Sequence, residues 1–199
     1  RAKELIKEIF SKGISLTEII SRIFVPSLEY VGSGWQEGHI TVAQEHYITA
    51  IIDRLTDYLS ESQGEIVQKN LSAVFMVPGG EEHVLTLKMA SEYFRSFGWR
   101  IKFIGSSVPI DGLCKVIIEE KASVLVMSAL TVEGLNSSGY LNSALKSKLG
   151  KKAPITILGG KFDDPERVRT DTNTDIVLGS LESLKNEIPK IEEAIKSTV

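Results

Sequence analysis

An imidazole with a carboxylate two residues before it stands in the run Pro78-Gly79-Gly80-Glu81-Glu82-His83. That pairing suits a neutral imidazole that takes a transition metal through one ring nitrogen, while the carboxylate holds the other and raises the ring's basicity. Two further runs offer polar groups or bare backbone. In Ser128-Ala129-Leu130-Thr131 the hydroxyls can hydrogen-bond the polar edge of a ligand, and Gly159-Gly160 lets a bulky ligand approach the chain closely. Nearer the start, Trp35 is followed after nine residues by Glu45-His46. On a helix Val42, Glu45 and His46 fall at i, i+3 and i+4, hence on one face, where an aromatic wall and two polar side chains can hold a nucleoside. No nucleophile stands beside a base, so the chain is not expected to be an enzyme. Taken singly, each group has an ordinary reading: a surface histidine, a hinge aromatic, a solvated helix face, a strand-to-loop turn. The elements that carry them decide between the readings.

Residues 1–62 show helical spacing almost throughout. Leu5, Ile6, Ile9 and Phe10 form one apolar stripe, ended by Lys12-Gly13, and Leu16, Ile19, Ile20 and Ile23 form a second. Pro26 either kinks that helix or opens a new one. After Gly32-Ser33-Gly34 a short loop leads to a long helix beginning near Ile40-Thr41. Four such helices make a small antiparallel bundle. Residues 63–70, polar and containing Gly64, read as a linker. From 71 to 199 the period changes. Branched-residue strands at 73–77, 100–104, 124–127, 155–158 and 176–178 alternate with helices near 83–97, 110–121, 134–149, 165–170 and 180–196. This is an α/β pattern, read as a flavodoxin-like (Rossmann-like) five-stranded parallel sheet of order 2-1-3-4-5. Ligands in such sheets bind beyond the carboxyl ends of the strands, at the switch point between the first and third. His83 follows strand one, Ser128 ends strand three and Gly159-Gly160 follow strand four, so all three runs belong to one edge.

Composition and motif narrow the occupants. Among 199 residues, 23 Lys and Arg stand against 26 Asp and Glu, which does not suit a nucleic-acid-binding surface built on clustered cations. The single cysteine, Cys114, reads as a core residue and rules out a multi-cysteine metal site. No apolar stretch approaches the ~18 residues of a membrane span, and no secretory leader opens the chain, so a cytoplasmic protein is expected. Ser128 stands where a phospho-receiver needs an aspartate. Neither G-x-x-x-x-G-K-[ST] nor G-x-G-x-x-G follows strand one. The chain opens at Arg1 inside a helical pattern, and a further module before it is expected.

Glu81-x-His83-x-x-Thr86, Ser128-x-Leu130 and Gly159-Gly160, in order and each at a strand end, resemble the D-x-H-x-x-G / S-x-L / G-G signature of cobalamin-binding domains. The resemblance implies that His83 is the lower axial ligand of cobalt. It also implies that the nucleotide tail runs beside Ser128 and the glycine pair, and it adds Gly79, Gly80, Leu130 and Thr131 to the binding residues. Two positions depart from the signature: Glu81 is one methylene longer than aspartate, and Thr86 replaces glycine. Trp35-x9-Glu45-His46 is similar to the W-x9-E-H pattern of adenosylcobalamin-dependent light-sensing transcriptional regulators (the CarH type), with Gln36 where the best-known member has a histidine. This second resemblance implies a helical bundle capping the upper face of the corrin, with Trp35, Val42, Glu45 and His46 around the adenosyl group. It further implies a homo-oligomer whose assembly responds to light, and DNA binding only through a domain before Arg1. The alternative is a corrinoid carrier of a methyltransferase system, for which methylcobalamin replaces adenosylcobalamin.

Overall fold

The computed structural model describes residues 2–198. They divide into two compact units, one ending at Ile66 and the other beginning at Val67. The first is helical: α1 (Ala2–Ser11), α2 (Leu16–Ile19), α3 (Val25–Gln36) and α4 (Val42–Glu61). Gly13, at φ +87, closes α1 in the left-handed region that favours glycine. Ser15 with Glu18, and Thr41 with Gln44, form capping boxes that open α2 and α4. Pro26 creates no loop. α2 passes through one π-helical turn (Ile20–Phe24) directly into α3, and Pro26 follows that wider turn, the kind of irregularity with which a continuous helix accommodates a residue lacking an N–H. The glycines at 32 and 34 do not end α3, which runs on to Gln36. A Cβ at Gly34 would stand 2.8 Å from Ile40 Cδ1, so this glycine serves the close return of the chain toward α4. Leu16, Ile19, Ile20, Phe24, Ile52 and Leu59 fill the core of the unit.

The second unit is a parallel sheet of order β2-β1-β3-β4-β5. Its strands are β1 (Ser72–Met76), β2 (Arg100–Gly105), β3 (Val124–Ser128), β4 (Ile155–Gly159) and β5 (Ile176–Leu178). The helices are α5 (Val84–Ser96), α6 (Ile110–Glu119), α7 (Val132–Leu149), α8 (Pro165–Asp171) and α9 (Leu184–Thr198). β1 and β3 are buried along their whole length, as strands covered on both faces must be. One face packs Val74, Met76, Leu125, Met127 and Leu158 with Leu113, Ile117 and Leu145; Cys114 belongs to this core. On the other, Phe75 meets Phe94 edge-on at 5.4 Å, and Phe94 meets Trp99 at 5.2 Å. The buried Trp99 indole donates to Glu192 Oε1 of α9 at 2.8 Å, and Lys69 Nζ donates to both oxygens of the same carboxylate at 2.6 and 2.7 Å. Lys146, in the last turn of α7, donates to Asp175 and to the Asn173 carbonyl at 2.9 and 2.8 Å. No helix among the described residues is long and apolar enough to cross a membrane.

Candidate functional site

The chain leaves β1 through Val77-Pro78-Gly79-Gly80 and reaches α5 at His83, the residue before its first turn. Gly80 sits at φ +78, and a Cβ there would stand 2.8 Å from Glu133 Cβ, so the turn requires glycine. It delivers Glu81 inward, its side chain fully buried, and His83 outward, 59% exposed. His83 Nδ1 lies 2.5 Å from Glu81 Oε1. With the carboxylate accepting from Nδ1–H, the Nε2 lone pair faces outward with no hydrogen-bond partner among the described residues, which is the form that ligates metals. Among those residues no group of three or more His, Cys, Asp or Glu side chains could hold a bare metal ion.

Glu81 does more than hold the ring. Oε1 also accepts from the backbone N–H groups of Glu82 and His83 at 3.0 and 2.9 Å. Oε2 reaches across to the loop after β3, accepting from Leu130 N at 2.6 Å, Thr131 N at 3.0 Å and Thr131 Oγ1 at 3.2 Å. Burial by itself raises this carboxyl. The N–H groups of His83, Leu130 and Thr131 and the His83 ring outweigh it, and the pKa falls from 4.5 to about 2. Thr131 in turn caps α7, its hydroxyl accepting from Gly134 N at 3.0 Å. A fixed negative charge thus sits at the start of an 18-residue helix, where its dipole favours one.

Beside this hub, Ser128 ends β3 in register with Gly159 of β4. Ser128 Oγ is buried and has no hydrogen-bond partner among the described residues. An orphaned buried hydroxyl is rare and costly, and a ligand's polar atom would satisfy it. A Cβ at Gly159 would meet only Met127 O, at 3.8 Å, so its flank is open. Gly160 differs: a Cβ there would stand 2.3 Å from Phe162 Cζ and 2.4 Å from Ala129 O, so its bareness accommodates the protein's own groups. Around Gly79 the nearest groups are the hydroxyls of Ser137 and Ser107, 3.5 and 3.7 Å from where a Cβ would be. Thr86 is half-buried in the first turn of α5, and Leu130 is exposed. An open imidazole nitrogen, an unsatisfied hydroxyl and a bare strand end together fit a cobalt macrocycle carrying a polar tail.

The remaining residues belong to the helical unit. Trp35 ends α3 with 49% of its surface exposed, and Val42 opens α4, likewise half-exposed. Glu45 Oε2 lies 2.5 Å from Nδ1 of the exposed His46, and Oε1 accepts from Thr49 Oγ1 at 2.8 Å. His39 is exposed.

A family model described as B12 binding domain matches residues 1–60, and a second with that description matches residues 71–188. The chain belongs to the B12-binding domain family. Among its relatives is the HTH-type transcriptional repressor CarH of Myxococcus xanthus, 22% identical over 160 residues, which are 80% of this chain and 52% of that protein. The chain therefore spans about half the length of this relative. The B12-binding fold is shared with the monomethylamine corrinoid protein of Methanosarcina barkeri, with TM-score 0.81 at 16% identity over 94% of this chain and 89% of that one. It is also shared with the methanol:cobalamin methyltransferase complex of the same organism, with TM-score 0.54 at 17% identity over 89% and 68%. A cobalamin-binding protein from Desulfitobacterium hafniense gives 0.53 at 18% identity over 92% and 87%.

Two residues at this site escape the sequence reading. Gly134 lies in the first turn of α7, and a Cβ there would crowd both Glu81 and Thr131. Phe162 fills the flank of Gly160. The sequence does carry a signal for Gly134, a glycine three residues after a capping threonine, where a side chain that completes the cap is usual. Nothing in the sequence around Phe162 marks it.

Proposed function

We propose that this B12-binding chain is the sensing part of an adenosylcobalamin-dependent photoreceptor that controls oligomerisation and transcription. The observation that carries the binding chemistry is the Glu81–His83 pair, and the buried Ser128 hydroxyl at the end of β3, unpartnered among the described residues, adds to it. His83 would hold cobalt, with Glu81 fixing its tautomer, and Ser128, Gly159 and Gly160 would border the nucleotide tail, flanked by Gly79, Gly80, Thr86, Leu130 and Thr131. In the helical unit, residues 1–62 of the proposed division, Trp35 and Val42 offer apolar surface to the adenosyl group. Glu45 keeps lone pairs for ribose hydroxyls beyond its bonds to Thr49 and His46. When bound, adenosylcobalamin supplies a cobalt–carbon bond that visible light breaks. Trp35 and Val42 would have an apolar partner only while the adenosyl group is present, and that difference would bias the helical unit between two assembly states. The relationship to the HTH-type transcriptional repressor from M. xanthus supports a regulatory setting; the proposal adds a homo-oligomer, a cytoplasmic location and DNA contacted through a separate domain. The fold shared with the monomethylamine corrinoid protein over nearly the whole chain favours the second reading, a methyl carrier using methylcobalamin.

The test is a dark titration with adenosyl- and methylcobalamin, read by absorbance, followed by size-exclusion before and after green light. Preference for the adenosyl form with a light-dependent elution volume is expected. Preference for methylcobalamin supports the carrier, and an unchanged elution volume removes the switch. His83→Ala is expected to abolish the absorption of histidine-ligated cobalamin.

A further inference from the structure

A glycine in the first turn of α7 weakens the helix relative to alanine, yet Gly134 is buried there at the centre of the carboxylate's contacts. A Cβ on residue 134 would stand 3.0 Å from Glu81 Oε2, 3.0 Å from Thr131 Oγ1 and 3.1 Å from Glu81 Cβ. All three are tighter than an ordinary carbon contact. We propose that Gly134 is a positioning residue for the metal ligand: its missing side chain makes the room in which a glutamate, not a shorter acid, spans two loops and fixes the His83 ring. The inference rests on the proposed role of His83 and names what sets the place of that residue's partner.

The geometry leaves little slack. Oε1 serves the loop after β1, holding Glu82 N, His83 N and His83 Nδ1, while Oε2 serves the loop after β3, holding Leu130 N, Thr131 N and Thr131 Oγ1. The carboxylate is planar and rigid, so moving Oε2 turns Oε1 as well. A methyl group at 134 has two neighbours to displace. Thr131 Oγ1 is tied to Gly134 N by the helix cap and moves with the same backbone. Glu81, with its own side-chain torsions, is the group that yields, and the Nδ1 bond loosens with it. An aspartate at 81 withdraws its oxygens by about one C–C bond, ~1.5 Å, and cannot hold both loops, so it gives up the same Oε2 contacts that a methyl group at 134 would displace. The two positions are therefore coupled through space although 53 residues apart in sequence.

Three variants test this: Gly134→Ala, Glu81→Asp and the double variant. Two measurements are made on each: affinity for hydroxocobalamin by absorbance titration, and the ring 15N shifts of His83 in cobalamin-free protein near pH 8, where a histidine is neutral. The parent is expected to show the Nδ1–H tautomer alone. Gly134→Ala and Glu81→Asp are each expected to bind about tenfold more weakly, the loss usual for a ligand's supporting residue, with mixed tautomers. The double variant is expected to bind within about threefold of the weaker single variant, because the oxygen that alanine displaces is already withdrawn in aspartate, whereas an independent structural effect on α7 would multiply the two losses. Unchanged affinity and tautomer in Gly134→Ala, or losses that multiply in the double variant, overturn the proposal. Should Gly134→Ala not fold, adding alanine to the Glu81→Asp background decides alone: little further change in affinity and tautomer supports the coupling, and a further loss of about tenfold refutes it. A parent that binds no cobalamin would remove the ligand role of His83, and the tautomer measurement would still decide the part played by Gly134.

Discussion

Ser128 and Glu81 make opposite kinds of demand on the folded chain. Ser128 Oγ is buried without a partner among the described residues, so the unliganded protein gains nothing from it. Ser128→Ala is expected to leave the unfolding free energy unchanged or raised by up to about 1 kcal/mol while weakening cobalamin binding about tenfold. Denaturant titration and absorbance titration on the same preparation separate the two effects. Glu81 is tied from six directions, and its carboxyl titrates at about 2 in the folded chain against an ordinary 4.5. A carboxyl with a lower pKa when folded binds fewer protons in the native state than in the unfolded one. Its contribution is thus complete above pH 4.5 and is lost as the pH falls from there through about 2. Glu81→Gln should lower stability at pH 7 and flatten that part of the acid limb, as denaturant unfolding at a series of pH values would show. The pairing of Glu81 with His83 is legible from two residues' spacing. The reach of Glu81 to Leu130 and Thr131 is not, because a contact across 50 residues depends on which strands end side by side.

Where an element's end is set by local chemistry, the sequence is readable. The capping serine and threonine at 15 and 41, Gly13 and the five branched-residue strands all announce themselves within a few residues. Where the end is set by packing, it is not. α3 continues through two glycines because Gly34 must let Ile40 come close, and a sequence window sees only two helix breakers. The same holds after β4. Gly159-Gly160 reads as one feature, yet the flank of Gly159 is open while that of Gly160 is filled by Phe162 and Ala129 O. The two glycines should consequently respond differently. Gly160→Ala is expected to destabilise the sheet unit by about 2–3 kcal/mol through overpacking. Gly159→Ala, meeting only Met127 O, should cost under about 1 kcal/mol and act chiefly on cobalamin affinity. Chemical unfolding of both variants, with and without cobalamin, checks the contrast.

At the scale of the whole molecule, the alternation of strands and helices gives the class and the strand order, because a parallel sheet with short connections has few ways to wind. It does not reveal what fastens the sheet unit at its two ends. Lys69, Trp99 and Glu192 come from the approach to β1, the approach to β2 and the last helix, and they share one carboxylate. Glu192→Ala would leave the buried indole N–H unanswered and is expected to cost about 2 kcal/mol, measurable as a lower denaturant midpoint. Val67 and Lys69 also press on Gly98: Lys69 N donates to Gly98 O at 2.7 Å, and Val67 O lies 2.5 Å from where a Cβ on that glycine would be. Anyone expressing the α/β half by itself should accordingly start ahead of residue 67 and keep residue 192. A shorter piece beginning at the opening strand discards a clasp that looks, on paper, like dispensable spacer.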